Sequence, residues 1–192
     1  MSAKGTTSEA FFEKIYRADE DPWSFATSEY EQRRYAAIVD AVRGRRYKHA
    51  FEPGCSIGLL TVQLASLCDL VDATDISPTA VERARLRTQH LANVRTTCGA
   101  LPDLIPRGKF DLIVFSEIGY YFTEDQLVLI ANQLINRMRK SGVFLAAHWL
   151  GESPDHLLSG DRVHEILAQI PALSLQKTCR YSGFRLDLWT KQ

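Results

Sequence analysis

Between Lys48 and Asp75 the chain reads KHAFEPGCSIGLLTVQLASLCDLVDATD, and few folds accept that order. An apolar segment runs into Glu52, Gly54 and Gly58 open a loop, Leu59–Leu67 reads as a helix, and Leu70–Asp75 is a second strand. Strand, glycine loop, helix and strand in succession demand parallel pairing through a right-handed crossover. The glycines let the backbone approach a ligand with no Cβ in the way. The helix start beyond them presents free N–H groups and a partial positive charge. Asp75 ends the second strand, where a carboxylate can bridge two ribose hydroxyls. The loop is E-x-G-x-x-x-G, with Ser56 where the dinucleotide pattern G-x-G-x-x-G has its middle glycine. A dinucleotide needs that close pyrophosphate approach. The loop therefore suits a ligand that carries a nucleoside but no diphosphate.

The same rhythm continues. Ser77-Pro78 starts a helix expected to reach Leu91, with proline in its first turn. Asn93–Cys98 is a third strand, and Phe110–Phe115 is a continuous apolar run of the kind that a two-sided parallel sheet buries. After a loop at Ser116–Phe122, Thr123 caps a long helix expected to reach Lys140. Glu124 and Asp125 lie at its positive end, and Arg137, Arg139 and Lys140 at its negative end. Ser141-Gly142 is expected to stop it before a fifth strand, Val143–Ala147. The end differs: a helix, Asp161–Gln169, precedes Leu173–Arg180 and Phe184–Thr190, which flank Tyr181-Ser182-Gly183 as a hairpin. The expected fold is α/β, a Rossmann-like, doubly wound, mostly parallel seven-stranded sheet ending in an antiparallel hairpin. Before it, a helix over Glu9–Arg17 and another capped by Ser28 and ended by Gly44 flank the turn ADEDPWSF. One domain is expected, with residues 1–47 as a helical lid or substrate segment and 48–192 as the core.

Composition removes several function classes. Lys plus Arg and Asp plus Glu are both 23, so the formal net charge is zero, without the electrostatic footprint of a nucleic-acid binder. The cluster Arg43, Arg45, Arg46 and Lys48 reads as a solvated helix end. No apolar run approaches the roughly 18 residues needed to cross a bilayer, and MSAKGTTSEA contains no apolar signal core. The expectation is a cytoplasmic protein with no membrane or nucleic-acid partner. Cys55, Cys68, Cys98 and Cys179 show no metal spacing and are expected as buried free thiols. Cys55 is read as a small residue that lets the loop turn rather than as a reactive thiol. No metal site is expected.

In order, the glycine loop Glu52–Gly58, Asp75, the fourth strand Phe110–Phe115, Lys140-Ser141-Gly142-Val143 and the terminal hairpin resemble a class I S-adenosylmethionine-dependent methyltransferase. The resemblance implies that Glu52, Gly54, Cys55, Ser56 and Gly58 cradle the methionine part of S-adenosylmethionine, whose product is S-adenosylhomocysteine. It places Asp75 and Ile76 at the ribose, Gly99, Ala100 and Leu101 at the adenine, and Ser116 at the edge of the cofactor. The family often has an aspartate at position 101, and here the adenine is left to backbone amides and apolar contacts. Further strings, Asp21-Pro22-Trp23, SEYEQRRY from Ser28, SEIGYY from Ser116 and GDRVHE from Gly160, resemble the nodulation protein S (NodS) family. That resemblance implies N-methylation of the free amine of a deacetylated glucosamine end on a chitin oligosaccharide.

An ammonium has no lone pair, so an amine acceptor must shed a proton before attack. Glu117 follows the fourth strand at the carboxyl edge of the sheet, where open α/β sheets place ligands. It can receive the proton or position the amine. His148 ends the fifth strand and offers an imidazole with an ordinary pKa of roughly 6.5, or else is a buried histidine satisfied by backbone. Trp149 follows it. Asp161 and His164 lie three apart at a helix start and can face one cleft, although Asp161 reads better as an N-cap. Trp23, Tyr30, Tyr120 and Tyr121 can stack on a sugar, whereas Phe11, Phe12, Phe115 and Phe144 are expected in the core. Arg33 or Arg34 meets the cofactor carboxylate or forms a surface ion pair. The partner is a small-molecule or oligosaccharide acceptor. Rival readings are a small-molecule O- or N-methyltransferase with another acceptor, and a non-catalytic Rossmann-like nucleoside-binding subunit.

Overall fold

β-branched and aromatic runs form the strands, and residues with 3.6-residue periodicity form the helices that cover them. The structure, a computed structural model, describes residues 8–192. Expectations for residues 1–7, as part of a lid and as lacking a signal core, lie outside the described residues. The chain divides into one unit of Glu9–Arg107 and another built on Gly108–Gln192.

The first unit contains α1 (Glu9–Ala18), α2 (Glu29–Val42), β1 (Ala50–Pro53), α3 (Leu59–Ala65), β2 (Val71–Asp75), α4 (Pro78–Thr88) and β3 (Val94–Cys98). β1 and β2 are parallel from Ala50 opposite Val71 to Pro53 opposite Thr74, and β2 and β3 are parallel in turn. All residues of β1 and β2 are buried, the polar Glu52, Asp72, Thr74 and Asp75 included, as strands inside a two-sided sheet are. Ser28 caps α2 by accepting the Glu31 amide, and Ser77 caps α4 by accepting the Ala80 amide, with Pro78 in the first turn. α3 is shorter than expected. It stops at Ala65 because Leu67 turns back, donating its amide to Leu64 and accepting that of Tyr47.

The second unit contains β4 (Phe110–Ser116), a 3-10 turn at Gly119–Tyr121, α5 (Glu124–Arg137), β5 (Met138–Trp149), α6 (Gly160–Ala168), β6 (Leu173–Arg180) and β7 (Phe184–Lys191). β4 and β5 are parallel, and β5, β7 and β6 are antiparallel. The seven-stranded order is β3-β2-β1-β4-β5-β7-β6. The expected fold class holds. No helix among the described residues is long and apolar enough to cross a membrane.

Three expectations need correction. α5 ends at Arg137 and β5 begins at Met138, so Ser141-Gly142 lies within a strand and does not stop a helix. Phe110 pairs with Met138 and Leu112 with Val143, which leaves residues 139–141 bulged outward, with Ser141 at φ 59°. Arg139 and Lys140 thus sit on the bulge. The buried stripe Leu127, Ile130, Ala131, Leu134 and Ile135 continues in helical period to buried Met138, so hydrophobic spacing could not locate the boundary. Cys98 is exposed and Cys179 half-buried, because they lie on the edge strands β3 and β6; Cys55 and Cys68 are buried, and none of the four is in a disulfide. Phe11 is 39% exposed rather than core, whereas Phe115 and Phe144 are buried.

α5 starts with a full capping box: Thr123 accepts the Gln126 amide while the Gln126 side chain accepts the Thr123 amide. Thr123→Ala should lower stability by about 1 kcal/mol, a fall of roughly 2–4 °C in Tm for a chain of this size, measured by thermal unfolding. An unchanged Tm would show that the box contributes nothing.

Candidate functional site

Each unit carries one cluster of chemistry at the carboxyl ends of its parallel strands. In the first, the glycine loop leaves β1 with three backbones in the left-handed region within five residues: Gly54 at φ 75°, Ser56 at 50° and Gly58 at 81°. A Cβ at Gly58 would lie 3.0 Å from the Ala84 backbone, so glycine there also lets α4 pack closely. Asp75 fixes this loop. Its Oδ2 accepts the Ser56 amide at 2.8 Å, and its Oδ1 accepts the Ser77 amide at 3.0 Å. The amides of Gly54 and Cys55 go to the Thr74 carbonyl, and that of Gly58 to the Cys55 carbonyl. The loop therefore spends most of its own N–H groups within the fold and meets a ligand largely with Cα–H and carbonyl edges.

Burial dominates the electrostatics here. It pushes the Asp75 carboxyl up to about 6, against the pull of the amide hydrogen bonds. Glu52 rises to about 8, again by burial, although the Thr61 hydroxyl donates to it at 2.6 Å. Glu52 is therefore mostly protonated at neutral pH, a polar floor under the loop without a second charge. Burial also pushes the Cys55 thiol up, which keeps it an inert thiol as read. Gly99 donates its amide to the Asp75 carbonyl, Leu101 is buried, and Ile76, Ala100 and the loop's Gly54 and Ser56 are half-buried.

α1 packs on this cluster. Tyr16, Ile57 and Ala80 form a small core with Phe12 and Leu59 against it, and the Tyr16 hydroxyl donates to Ser56 Oγ at 2.6 Å. Glu13 accepts the Ser77 hydroxyl, the Thr79 amide and the Thr79 hydroxyl. Trp23 lies against Tyr16 and Phe25 and is 37% exposed, and Tyr30 is half-buried. Arg34 is buried against Glu31, while Arg33 pairs with Glu29 at the surface. The Glu13 role was not legible, since a mid-helix acid four residues before Arg17 reads as a surface i,i+4 ion pair.

The second cluster surrounds Glu117, which follows β4 with φ 59°, a conformation that costs a non-glycine residue on the order of 1–3 kcal/mol. Its Oε1 accepts the Trp149 amide at 2.7 Å, and its Oε2 accepts the Tyr120 hydroxyl at 2.9 Å. Two donors, one on each oxygen, thus fix the carboxylate. His156 stacks on the Tyr120 ring, centroids 3.7 Å apart at 16°, and meets Tyr121 and Trp149 edge-on. Gly151 makes room for the Trp149 indole, which a Cβ would approach to 2.0 Å. Ser116 is buried at the end of β4.

His148 and His164 stand behind this wall and do not join it. His148 is fully buried; Gly119 donates its amide to Nε2 at 3.0 Å, and Nδ1 lies 3.2 Å from His164 Nε2. His164 Nδ1 lies 2.8 Å from Asp187 Oδ2. The Gly119 amide assigns the lone pair of His148 to Nε2, so its proton is on Nδ1, directed to His164, whose own Nδ1 proton goes to Asp187. Burial holds the His164 pKa below its usual range. Burial opposes ionisation of Asp187, but hydrogen bonds from His164 and Arg185 outweigh it and hold its carboxyl low. His148 has no lone pair left for an acceptor and is withdrawn as a candidate base. Asp161 is likewise corrected: Ser159 caps α6, and Asp161 pairs with Arg180 and Arg185 of the hairpin, so Asp161 and His164 share no cleft. Sequence reasoning missed His156, which sits in a loop with no pattern to mark it. Among the described residues no group of three or more His, Cys, Asp or Glu is placed to hold a metal ion.

Comparisons with known proteins follow the same lines. A model of the nodulation protein S family matches residues 8–150. Nodulation protein S of Bradyrhizobium diazoefficiens is 36% identical over 108 residues, 56% of this chain and 52% of that protein. The Sinorhizobium fredii protein of that name is 28% identical over 127 residues, 65% of this chain and 59% of that protein. The chain thus spans between about half and three-fifths of the length of these curated relatives. Among solved structures, the N-methyltransferase NodS from Bradyrhizobium japonicum, in complex with S-adenosylhomocysteine, superposes with a TM-score of 0.84 at 21% identity, covering 97% of this chain and 99% of that one. A candidate methyltransferase from Pseudomonas syringae superposes with a TM-score of 0.76 at 35% identity, covering 85% and 100%.

Hydrogen bonds from Ser77, Thr79 and Arg17 hold Glu13 at about 2 against its ordinary 4.5, with burial opposing them. A carboxyl lowered in the folded state stabilises fully above about 4.5, and its contribution is lost as pH falls through about 2. Glu13→Gln should therefore speed amide exchange in α1 roughly tenfold at neutral pH, and acid should reproduce the effect in the unmodified chain. Exchange in α1 that ignores both would show that apolar packing alone holds the helix.

Proposed function

From membership of the nodulation protein S family, to which this chain belongs, we propose that the protein is an S-adenosylmethionine-dependent N-methyltransferase acting on the free amine of a deacetylated glucosamine or chitooligosaccharide. The observation that carries this reading is Glu117. Its carboxylate is fixed at both oxygens by Trp149 and Tyr120 in a wall of aromatic rings. A fixed anion beside aromatic faces suits an ammonium, through a charge-assisted hydrogen bond and cation–π attraction. The flat apolar faces of Tyr121 and Trp149 also suit the axial C–H face of a sugar ring.

The first cluster fits the methyl donor. Asp75 is a buried carboxylate whose oxygens each hold one amide and keep a lone pair, which matches a ribose diol. Gly54, Cys55, Ser56 and Gly58, above the neutral Glu52, offer a close, uncharged surface for the methionine part, and Ile76, Gly99, Ala100 and Leu101 offer backbone and apolar contact for the adenine. When bound, S-adenosylmethionine supplies an electrophilic methyl on a sulfonium. The protein's own task is to orient the acceptor and dispose of its proton, and positioning of this kind accounts for a large part of a transfer barrier.

Calorimetric titration tests the donor site. S-adenosylmethionine and S-adenosylhomocysteine should bind in the micromolar range, Asp75→Ala should abolish the signal, and affinity should weaken as pH falls below about 6, where Asp75 becomes protonated. Undiminished binding by the variant would remove Asp75 from the site. For the acceptor, Glu117→Gln should lower kcat/KM for glucosamine oligomers about 10–100-fold, the size of one lost charge-assisted contact. Wild-type activity in the variant would remove Glu117 from the reaction.

A further inference from the structure

His156 is the histidine in the second cluster that keeps free nitrogens. Its ring contacts are the stack on Tyr120 and the edge contacts with Tyr121 and Trp149, and neither ring nitrogen has a hydrogen-bond partner among the described residues. The ring is half-buried, so those nitrogens remain reachable. Its position is nonetheless fixed. The Leu157 and Leu158 amides both donate to the Tyr120 carbonyl, at 2.8 and 3.3 Å, and the His156 amide closes a turn onto the Ser153 carbonyl. The loop is therefore tied to the residue on which the imidazole stacks.

Glu117 is differently placed. Each of its oxygens already serves a donor that holds the wall together, and protonating it would weaken its bonds to Trp149 and Tyr120. A carboxylate engaged at both oxygens is placed to orient a cation. The proton then needs another acceptor.

We infer that His156 is the general base that takes the proton from the acceptor amine while Glu117 holds it. This rests on the amine acceptor proposed above. A lone pair of the imidazole forms the new N–H bond as one N–H bond of the ammonium breaks. The electron pair of that bond stays on the amine nitrogen as the nucleophile, and the imidazolium returns the proton to water. The charged groups acting on the imidazole are Asp155, beside it in the chain, and Glu117. Burial lowers the His156 pKa by more than these two anions raise it, so the ring is neutral at neutral pH. Tyr120, Tyr121 and Trp149, also packed on it, bring no charge there.

The test uses the full-length protein, S-adenosylmethionine and a glucosamine tetramer. His156→Phe keeps an aromatic ring on Tyr120 and removes the nitrogens. It should lower kcat about 100-fold with little change in KM, and should abolish the acidic limb of the kcat/KM profile. His156→Ala should be partly rescued by added imidazole. Independently of turnover, the His156 ring proton followed by NMR with S-adenosylhomocysteine present should shift when the tetramer is added. A His156→Phe protein with the wild-type rate and pH profile would overturn the base and leave the acceptor standing. A wild-type protein that binds S-adenosylhomocysteine but neither methylates nor senses the tetramer would overturn the acceptor, and the base with it.

Discussion

Two hydrogen bonds to one buried carboxylate organise the first unit. Asp75 holds the Ser56 amide on one oxygen and the Ser77 amide on the other, so the glycine loop and the start of α4 are both tied to the end of β2. The tie is made where burial disfavours charge, which is why the carboxyl is pushed up to about 6. α1 depends on the same tie, because Glu13 bonds Thr79 and also Ser77, whose amide Asp75 holds. Neutral Glu52 completes the arrangement. A second anion beneath the loop would oppose ionisation of Asp75 still further, and a Glu52 pushed to about 8 avoids that at neutral pH.

The second unit separates support from surface. His148, His164 and Asp187 form a buried polar line ending on the Gly119 amide. A Cβ at Gly119 would fall 2.5 Å from Val163 and 2.8 Å from His148 Nε2, so the line and the turn are packed against one another. The turn carries Tyr120, whose hydroxyl reaches Glu117 and whose carbonyl holds the loop with His156. Buried polar networks help to specify a single arrangement through the links they make, although Asp187 Oδ1 makes none among the described residues. Here the network sets where the exposed groups stand without reaching any acceptor itself.

Most of the fold was legible because β1 and β4 are short, largely apolar runs bounded by glycine, proline or acidic residues, and strong local signals agreed with the tertiary fold. The α5–β5 boundary was not legible, because Met138 satisfies the helical stripe and the strand equally well. The first cluster was legible from Glu52, Gly54, Gly58 and Asp75, whose spacing reflects a local strand–loop–helix geometry. The second cluster was read only in part. Glu117, Tyr120 and Trp149 follow strand ends and could be placed at the sheet's carboxyl edge, but which groups retain a free lone pair depends on contacts made across many residues.

The two histidines make that limit specific. His148 stands at a strand end, the position where α/β enzymes keep catalytic groups, yet the Gly119 amide and His164 occupy both of its nitrogens. His156 stands in an irregular loop, and only the fold brings it onto Tyr120. Burial has opposite consequences for the two. Complete burial with satisfied bonds makes an imidazole a structural link. Partial burial without bonds keeps it neutral while its lone pair remains accessible. A base is therefore identified by the hydrogen bonds it has not made, and a linear sequence carries no record of those.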